Sequence, residues 1–407
     1  MTSTAPLQQQ FEAAFGLTGS EFVVHAPGRA NLIGEHVDYN GLPVLPMALD
    51  RGITLMVRAR PDAVVRVHNQ DDRFGPFQFD MGSEPRPAPQ GHWSNYVKAA
   101  AQALARLHPG LRGADLLVTS DLPAAAGLSS SSALVVASAL ALLTANDLAE
   151  EPLALAEQMA DAERFVGLRG GGMDQAICLA AKAGTASLIY FEPLRIEHRP
   201  IPSDWGFVVA FSLVPAEKAA AARTVYNRRT EECRIAVRAV AVRLGLAPDG
   251  ASYPALLERF APEELVAAGE ACLDSALQGR FRHVITEAAR VSRAVAVLEA
   301  GDLGQFGALL SASHASLRDD FAVSCEALDA LVEAAMAGGA VGARLTGAGL
   351  GGSVIALGPR SASEGIMEAL DERFYAGRSA AADDRVRFLA SPGPGAMVSG
   401  PRLRGGA

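Results

Sequence analysis

PGRANLIGEHVDYNG, residues 27–41, is the stretch that constrains this chain most strongly. It lies between two short apolar runs, residues 22–26 and 44–49, which are typical of strands. The stretch between them carries arginine, asparagine, histidine, tyrosine and two carboxylates. Such a loop suits a polyhydroxylated ligand, because each buried hydroxyl of the ligand needs a hydrogen-bond partner. The alternative is a solvated loop that turns at Asn40-Gly41.

A second polar stretch, LPAAAGLSSSSA at residues 122–133, follows a predicted strand and leads into an apolar helix. The start of a helix presents free backbone N–H groups and the positive end of the helix dipole, which together form a phosphate site. Serine hydroxyls there can also ligate Mg²⁺. A single serine could instead be only the helix N-cap, but four in a row exceed what a cap requires.

A third stretch, GGGMDQ at residues 170–175, precedes a helix predicted to open at Ala176. Asp174 is either a general base that the dipole keeps ionised or a plain N-cap. Upstream, Pro152 and Gly167 bracket a helix whose apolar face includes Glu163. That carboxylate is either a metal ligand or the partner of a buried arginine.

The fourth stretch, LTGAGLGGS at residues 345–353, is a glycine-rich turn between two predicted strands. Taken alone it is typical of a tight hairpin. Its position after the other three stretches is what makes it a candidate for ligand binding.

Composition limits the function classes. The chain has 407 residues, enough for two or three domains, and a net charge of −9 that argues against a nucleic-acid-binding surface. Its three lysines, Lys98, Lys182 and Lys218, exclude a lysine-bearing P-loop, because none has the required context. The four cysteines lack metal-ligand spacing, and no leader or membrane-spanning run is recognisable, so the cytoplasm is the expected location.

The remaining pattern predicts a β-rich start and a helical second half. Residues 53–60 and 64–69 alternate apolar and polar side chains across Pro61-Asp62, which predicts a hairpin. A helix is predicted over residues 93–108 and a strand over 116–122. A second unit opens with a strand at residues 207–213 and continues in long helices to about residue 337.

Taken in order, the four stretches resemble the motifs of the galactokinase branch of the GHMP kinases. G-R-x-N-L-I-G-E-H-x-D-Y-N-G is similar to the signature of that branch, P-x-x-x-G-L-S-S-S to its phosphate loop, and L-T-G-A-G-x-G-G to its third motif. The resemblance implies an α+β fold of two lobes, with ATP and a sugar in the cleft between them. We expect lobes over residues 1–200 and 201–392 and a flexible tail over 393–407.

The resemblance also implies roles for individual residues. Asp174 would be the base that takes the proton of the anomeric hydroxyl, Arg29 would stabilise the transferring group, and Ser131 and Glu163 would hold Mg²⁺. The residues implied to contact the sugar are Glu35, His36, Asp38, Gly172 and Tyr226. Those implied to bind ATP are Trp93, Tyr96, Pro123, Gly127, Leu128, Ser129, Ser130, Ser131, Ser132, Gly347 and Gly349.

One segment departs from the galactokinase pattern. Many galactokinases carry N-S-x-V-R-H where this chain has FSLVPAEKAAAA, residues 211–222. With GGGMDQ, this is similar to the N-acetylgalactosamine kinase branch, so N-acetylgalactosamine, L-arabinose and galacturonate stay open beside galactose. A non-catalytic sugar sensor is disfavoured by the complete serine loop and by Asp174. The expected partners are ATP and a sugar, without nucleic acid or membrane, and the expected state is a monomer.

Overall fold

The computed structural model describes residues 4–16, 19–82, 85–167, 171–215, 220–378 and 383–400. The fold is α+β, as the sequence predicts. The strands are β1 (Phe22–Ile33), β2 (Leu45–Ala59), β3 (Val64–Asn69), β4 (Phe77–Asp80), β5 (Ala114–Ser120), β6 (Thr185–Tyr190), β7 (Arg195–Pro200), β8 (Trp205–Phe211), β9 (Gly342–Thr346), β10 (Ser353–Pro359), β11 (Arg387–Ala390) and β12 (Met397–Ser399).

Helices cover the faces of these sheets. The helices are α1 (Thr4–Phe15), α2 (Ser94–Leu107), α3 (Ser130–Ala145), α4 (Pro152–Ala162), α5 (Met173–Ala180), α6 (Ala220–Arg243), α7 (Tyr253–Leu257), α8 (Pro262–Cys272), α9 (Ser275–Glu299), α10 (Leu303–Asp319), α11 (Glu326–Ala337) and α12 (Ser363–Leu370). Short 3-10 segments cover Asp38–Asn40, Glu163–Val166 and Arg360–Ala362, and a π-helical turn covers Asp371–Tyr375. None of the described helices is both long enough and apolar enough to cross a membrane.

The first sheet has the strand order β12-β1-β2-β5-β3-β4. The hairpin predicted across Pro61-Asp62 is wrong, because β5 lies between β2 and β3 and pairs with both, antiparallel to β2 and parallel to β3. Asp115 of β5 is fully buried and accepts hydrogen bonds from Arg60, which directly follows β2, and from Arg66 on β3. An alternating pattern shows that two segments are strands, but it does not determine which strands pair.

The signature stretch is only partly a loop. β1 continues through Pro27 to Ile33, paired with β2 across two register shifts, and the loop begins at Gly34. The first half of the signature therefore presents Arg29 from a strand. A side chain carried on a strand is held more rigidly than one on a loop.

The second sheet has the antiparallel order β11-β8-β10-β9. One apolar core runs from Leu32 in β1 and Val44 just before β2 to Val208 and Val354 in the second sheet. A separate apolar cluster fills the space between the first sheet and helices α2 and α3. Helix α3 is apolar around nearly its whole circumference, which suits its burial on almost every side.

The end of the described chain returns to the first sheet. Met397–Ser399 pair antiparallel with Val23–His25 of β1, so β12 forms one edge of that sheet. This pairing differs from the flexible tail predicted over residues 393–407, of which residues 401–407 lie outside the described residues. Apart from β12, the first sheet uses strands before residue 121 and the second uses strands after residue 204. We therefore propose two lobes that divide near residue 200.

Candidate active site

The predicted site residues converge on a cavity of about 1080 Å³. Those that line it are Arg29, Glu35, His36, Asp38, Trp93, Tyr96, Pro123, Gly127, Ser129, Ser130, Ser131, Glu163, Gly172, Asp174, Tyr226 and Gly349. Three predicted residues, Leu128, Ser132 and Gly347, do not line the cavity. Motifs that are up to 320 residues apart in the chain thus surround one space.

An ion pair stands in this cavity. Arg29 on β1 donates from Nε to Oδ1 of Asp174 at 2.8 Å and from Nη1 to the carbonyl oxygen of Gly127 at 2.7 Å. Helix α5 begins at Met173, three residues before the predicted start, so Asp174 lies in the first turn and Gly172 is the N-cap. A carboxylate in the first turn interacts favourably with the helix dipole. The pair places a proton acceptor and a fixed positive charge side by side.

Asp38 contacts the chain just before the same helix. Its Oδ2 accepts a hydrogen bond from the backbone N–H of Gly171 at 3.2 Å. A Cβ at Gly171 would lie 2.5 Å from the carbonyl carbon of Asp38, so only glycine permits this approach. Enclosure by protein, together with the nearby charge of Asp174, raises the pKa of Asp38 to about 7.

Three rings form one wall of the cavity. The ring of Tyr226 lies 5.8 Å from that of His36 and 5.4 Å from that of Tyr39. His36 Nε2 donates to the carbonyl oxygen of Ala348 at 3.2 Å, so Nδ1 is left to accept from the Tyr39 hydroxyl at 3.0 Å. Burial lowers the pKa of His36 to about 3, which makes its imidazole a neutral group.

Glu35 joins the two halves of the chain. Its Oε2 accepts hydrogen bonds from Arg344 Nη2 at 2.8 Å and from the backbone N–H of Gly347 at 3.0 Å. Arg344 is fully buried and also donates to the carbonyl oxygens of Asn31 and Leu32. Burial raises the pKa of Glu35, while the Arg344 guanidinium acts in the opposite direction. Glu35 therefore supports the turn as well as facing the cavity.

The serine stretch surrounds the N-terminus of α3. Ser129 is the N-cap in a left-handed conformation, with φ of +58°, and its side chain caps no backbone group. Its Oγ is buried, and no hydrogen-bond partner for it lies among the described residues. The first backbone N–H groups of a helix have no partner within the helix, and this N-terminus faces the cavity. An anion is the ligand that such an end accommodates.

Glu163 lies next to the serine stretch, in the 3-10 turn that follows α4. Its Oε1 accepts a hydrogen bond from Ser132 Oγ at 2.5 Å, while the adjacent Ser131 lines the cavity. Across the described part of the chain, no group of three or more His, Cys, Asp or Glu side chains is placed to hold a metal ion. A cation at Glu163 and Ser131 would need further oxygen ligands from a bound molecule or from water.

The far end of the cavity is aromatic and charged. Trp93 packs edge-on against Phe77, with ring centroids 4.7 Å apart, and its Nε1 has no hydrogen-bond partner among the described residues. The rim there includes residues that sequence reasoning missed: Asn69, Gln70, Asp71, Asp72, Arg73, Phe74, Asp383 and Arg385. No local motif marks these positions, because they become neighbours only through the pairing of β3 with β5 and the return of the chain near residue 383.

A second missed group lies behind the signature turn. Glu287 and His283 of α9 are fully buried and bond to the backbone of residues 34 and 35. They occupy positions i and i+4 on a helix face that also carries Val284 and Val291. Polar residues within such an apolar face were a signal in the sequence that could have identified them.

The segment that departs from the galactokinase pattern also borders the cavity. Phe211 and Leu213 line it, whereas residues 216–219 lie outside the described residues.

Family models match three regions of the chain. A galactokinase galactose-binding signature matches residues 9–59, a GHMP kinase N-terminal domain matches residues 95–182, and a GHMP kinase C-terminal domain matches residues 294–376. The first covers the signature stretch, and the second covers the serine stretch, Glu163 and Asp174.

Relatives that match nearly the whole chain are galactokinases, in agreement with the family models. A galactokinase of Roseiflexus sp. (strain RS-1) is 38% identical over 92% of this chain and 93% of its own length, and one of Streptomyces coelicolor is 36% identical over 90% and 94%. The crystal structure of Lactococcus lactis galactokinase complexed with galactose superposes with a TM-score of 0.85, at 31% identity over 97% of this chain and 100% of that one. The mevalonate kinase of Methanococcus jannaschii, at 16% identity over 92% and 99% of the two chains and a TM-score of 0.60, shares the fold.

Proposed function

This chain belongs to the galactokinase family of the GHMP kinases, and from that premise we propose that it transfers the γ-phosphoryl group of ATP to the anomeric hydroxyl of galactose. The observation that carries this proposal is the position of the Arg29–Asp174 pair. It stands in one cavity with a helix N-terminus suited to phosphate and a group of polar and aromatic side chains suited to a sugar.

The reaction requires a proton acceptor at the sugar oxygen. Asp174 accepts the proton of the anomeric hydroxyl as that oxygen attacks the γ-phosphorus. A new O–P bond forms, the bond between the γ-phosphorus and the bridging oxygen to the β-phosphate breaks, and the electron pair leaves with ADP. The products are galactose 1-phosphate and ADP, with the proton held first on Asp174.

Arg29 supplies a fixed positive charge at the same point. Its hydrogen bond to the Gly127 carbonyl and its ion pair with Asp174 hold the guanidinium in place. A pre-oriented guanidinium stabilises negative charge that develops on the transferring phosphoryl group and on the attacking oxygen. Because Arg29 is only 5% exposed, the interaction occurs where water screens it little.

The sugar is proposed to lie against Glu35, His36, Asp38, Gly172 and Tyr226, all of which line the cavity. Neutral His36 and Tyr226 provide ring surface and hydrogen-bonding atoms, and Asp38 provides a carboxyl group at the N-terminal end of α5. A neutral polyol is selected by such fixed donors and acceptors, since a hydroxyl left without a partner costs binding energy.

ATP is proposed to place its phosphates at Ser129, Ser130 and Ser131, with Pro123, Gly127 and Gly349 beside them and the adenine near Trp93 and Tyr96. The partnerless buried hydroxyl of Ser129 fits an anionic ligand, because a phosphate oxygen would accept its hydrogen bond. Mg²⁺ would be held by Ser131 and Glu163 together with the nucleotide, and when bound it neutralises phosphate charge. The oxygen-only donor set of these two residues suits that ion.

The test is a comparison of sugars. Purified protein with Mg·ATP should release ADP with galactose, and phosphorus NMR should show the phosphate on C1. The ratio kcat/KM is to be measured side by side for galactose, N-acetylgalactosamine, galacturonate and L-arabinose. A higher value for one of the other sugars would reassign the substrate, and no ADP release with any of the four would refute a kinase function.

A further inference from the structure

A buried polar group behind the signature turn has no part in the proposed reaction. We call it the anchor cluster: His283, Glu287 and Arg290 of α9 and Ser313 of α10. His283, Glu287 and Ser313 are fully buried. The cluster lies in the second half of the chain, whereas the turn it contacts, residues 34–36, lies in the first.

Glu287 is the centre of this cluster. Its Oε1 accepts hydrogen bonds from the backbone N–H groups of Gly34 at 2.9 Å and Glu35 at 3.4 Å, and from Ser313 Oγ at 2.7 Å. Its Oε2 accepts from Arg290 Nε at 2.6 Å. The charge of Arg290 and these hydrogen bonds hold the pKa of Glu287 at about 2 despite complete burial. The carboxylate is therefore an ionised acceptor that binds two consecutive amides of the turn.

His283 holds the same turn by a third bond. Its Nε2 lies 3.0 Å from the carbonyl oxygen of Glu35, and because a carbonyl can only accept, Nε2 carries the proton. One turn of helix α9 thus bonds both the N–H and the C=O of Glu35. Residues i and i+4 of a helix lie on one face, which explains how two side chains can reach one peptide segment.

The turn needs such support because its backbone is unusual. Gly34 has φ of +99°, and His36, which is not glycine, has φ of +61°. A non-glycine residue in that region costs free energy and persists only where its surroundings enforce it. The two residues that follow Gly34 are Glu35 and His36, whose side chains line the cavity.

We propose that Glu287 is a positioning residue for the sugar: by binding the amides of Gly34 and Glu35 it fixes the direction in which Glu35 and His36 face the cavity. This inference rests on the proposed function, since it assigns Glu35 and His36 to the sugar. Glu287 does not line the cavity, so it acts through the turn and not by contact with the substrate.

A purely structural role makes a different prediction. Burying a carboxylate is costly, and an apolar side chain could fill the same space. If Glu287 served only to close the core, its loss would lower stability and leave the affinity for each substrate unchanged. If it positions the turn, its loss weakens galactose binding selectively.

The experiment compares Glu287→Ala and Glu287→Gln with the wild type. We expect Glu287→Ala to raise the KM for galactose and its Kd from titration calorimetry about tenfold, with the KM for ATP changed less than twofold. Glu287→Gln keeps one acceptor oxygen for the amides but places an amide NH₂ opposite Arg290, so an intermediate increase of about threefold is expected. The KM and Kd for galactose should decrease from Glu287→Ala to Glu287→Gln to the wild type, and the KM for ATP should not follow this order.

Asp115→Ala is the matched control. Asp115 is also fully buried and bound by two arginines, but it lies within the first sheet and does not line the cavity. The Asp115→Ala substitution should lower Tm while leaving the KM values for galactose and ATP unchanged. The proposal is overturned if the Glu287 variants fold with wild-type affinity for galactose, as the control should, or if the KM values for galactose and ATP rise together. If Glu287→Ala does not fold, Glu287→Gln decides by the same criterion. An inactive wild type would refute the proposed function instead.

Discussion

Two regions of the cavity are built in opposite ways: the signature end, formed by Glu35, His36 and Asp38, and the serine end, formed by Ser129 and the N-terminus of α3. At the signature end, the atoms of Glu35, His36 and Asp38 already have hydrogen-bond partners within the protein. At the serine end, the N-terminus of α3 lies at the cavity, and the buried Ser129 hydroxyl has no partner within the described residues.

The difference follows from the two ligands. A phosphate carries enough charge to bind a helix N-terminus, where the first backbone N–H groups have no partner within the helix. A sugar carries no charge, so it is selected by donors and acceptors whose positions are fixed before binding. The side chains at the signature end must therefore be held in position by residues outside the cavity wall. The serine end needs only a helix N-terminus whose N–H groups are available to the ligand.

Asp174→Asn changes the proposed base, which lies between the two ends, and should have the largest effect on activity. We expect kcat to fall about 10²–10⁴-fold, because the amide keeps the shape of the carboxylate but is not a base. The Kd for galactose and the KM for ATP should change little. Calorimetry and steady-state kinetics measure both, and near-normal turnover would refute the assignment of the base.

Gly171→Ala should damage the signature end alone. The added Cβ would lie 2.5 Å from the carbonyl carbon of Asp38, so Asp38 must move, and we expect the KM for galactose to rise about tenfold or more with the KM for ATP unchanged. Gly304→Ala is the control, since its Cβ would meet Asp302 Oδ1 at 3.6 Å, an ordinary contact. Equal increases in both KM values would contradict the separation of the two ends.

Ser129→Ala should affect the serine end alone. We expect the KM for ATP to rise about threefold to tenfold with no loss in Tm, because no hydrogen bond within the described structure is removed. Ser138→Ala is matched to it: Ser138 lies on the same helix, is buried and also has a partnerless Oγ, but is not in the cavity wall. A rise in the KM for galactose in place of that for ATP would refute the prediction.

Asp38→Asn should change the pH dependence of stability. The pKa of Asp38 is raised from 3.8 to about 7, so the folded protein binds this proton more tightly than the unfolded chain. The resulting stability is complete below about pH 4 and is lost as the pH rises to about 7. The asparagine variant should therefore gain Tm relative to the wild type between pH 4 and 7. A constant difference across that range would show that Asp38 is not enclosed.

Much of the site could be predicted from the sequence because its residues lie in contiguous motifs. The serine stretch does begin a helix at the cavity, and Arg29 and Asp174 come together although 145 positions separate them. The roles of these residues in catalysis remain predictions.

The errors share a physical cause. Local pattern determines whether a segment is a strand but not which strand it pairs with, so the predicted pairing of β2 with β3 is wrong, and β5 lies between them. For the same reason, local pattern does not predict the contact of Glu287 with Gly34, which are 253 positions apart. Nor does it predict that Arg73 and Arg385 lie together at the rim of the cavity. Such contacts depend on tertiary packing, which a single sequence without internal repeats does not reveal.

The pairing of β12 with β1 has a consequence for synthesis on the ribosome. Val23–His25 are made early, but their partner strand, Met397–Ser399, is nearly the last described segment to be translated. At about 5–20 residues per second, that edge of β1 stays open for roughly 20–75 s, which exposes it to pairing with other nascent chains. The first sheet is therefore completed only after nearly all the other described segments have been translated.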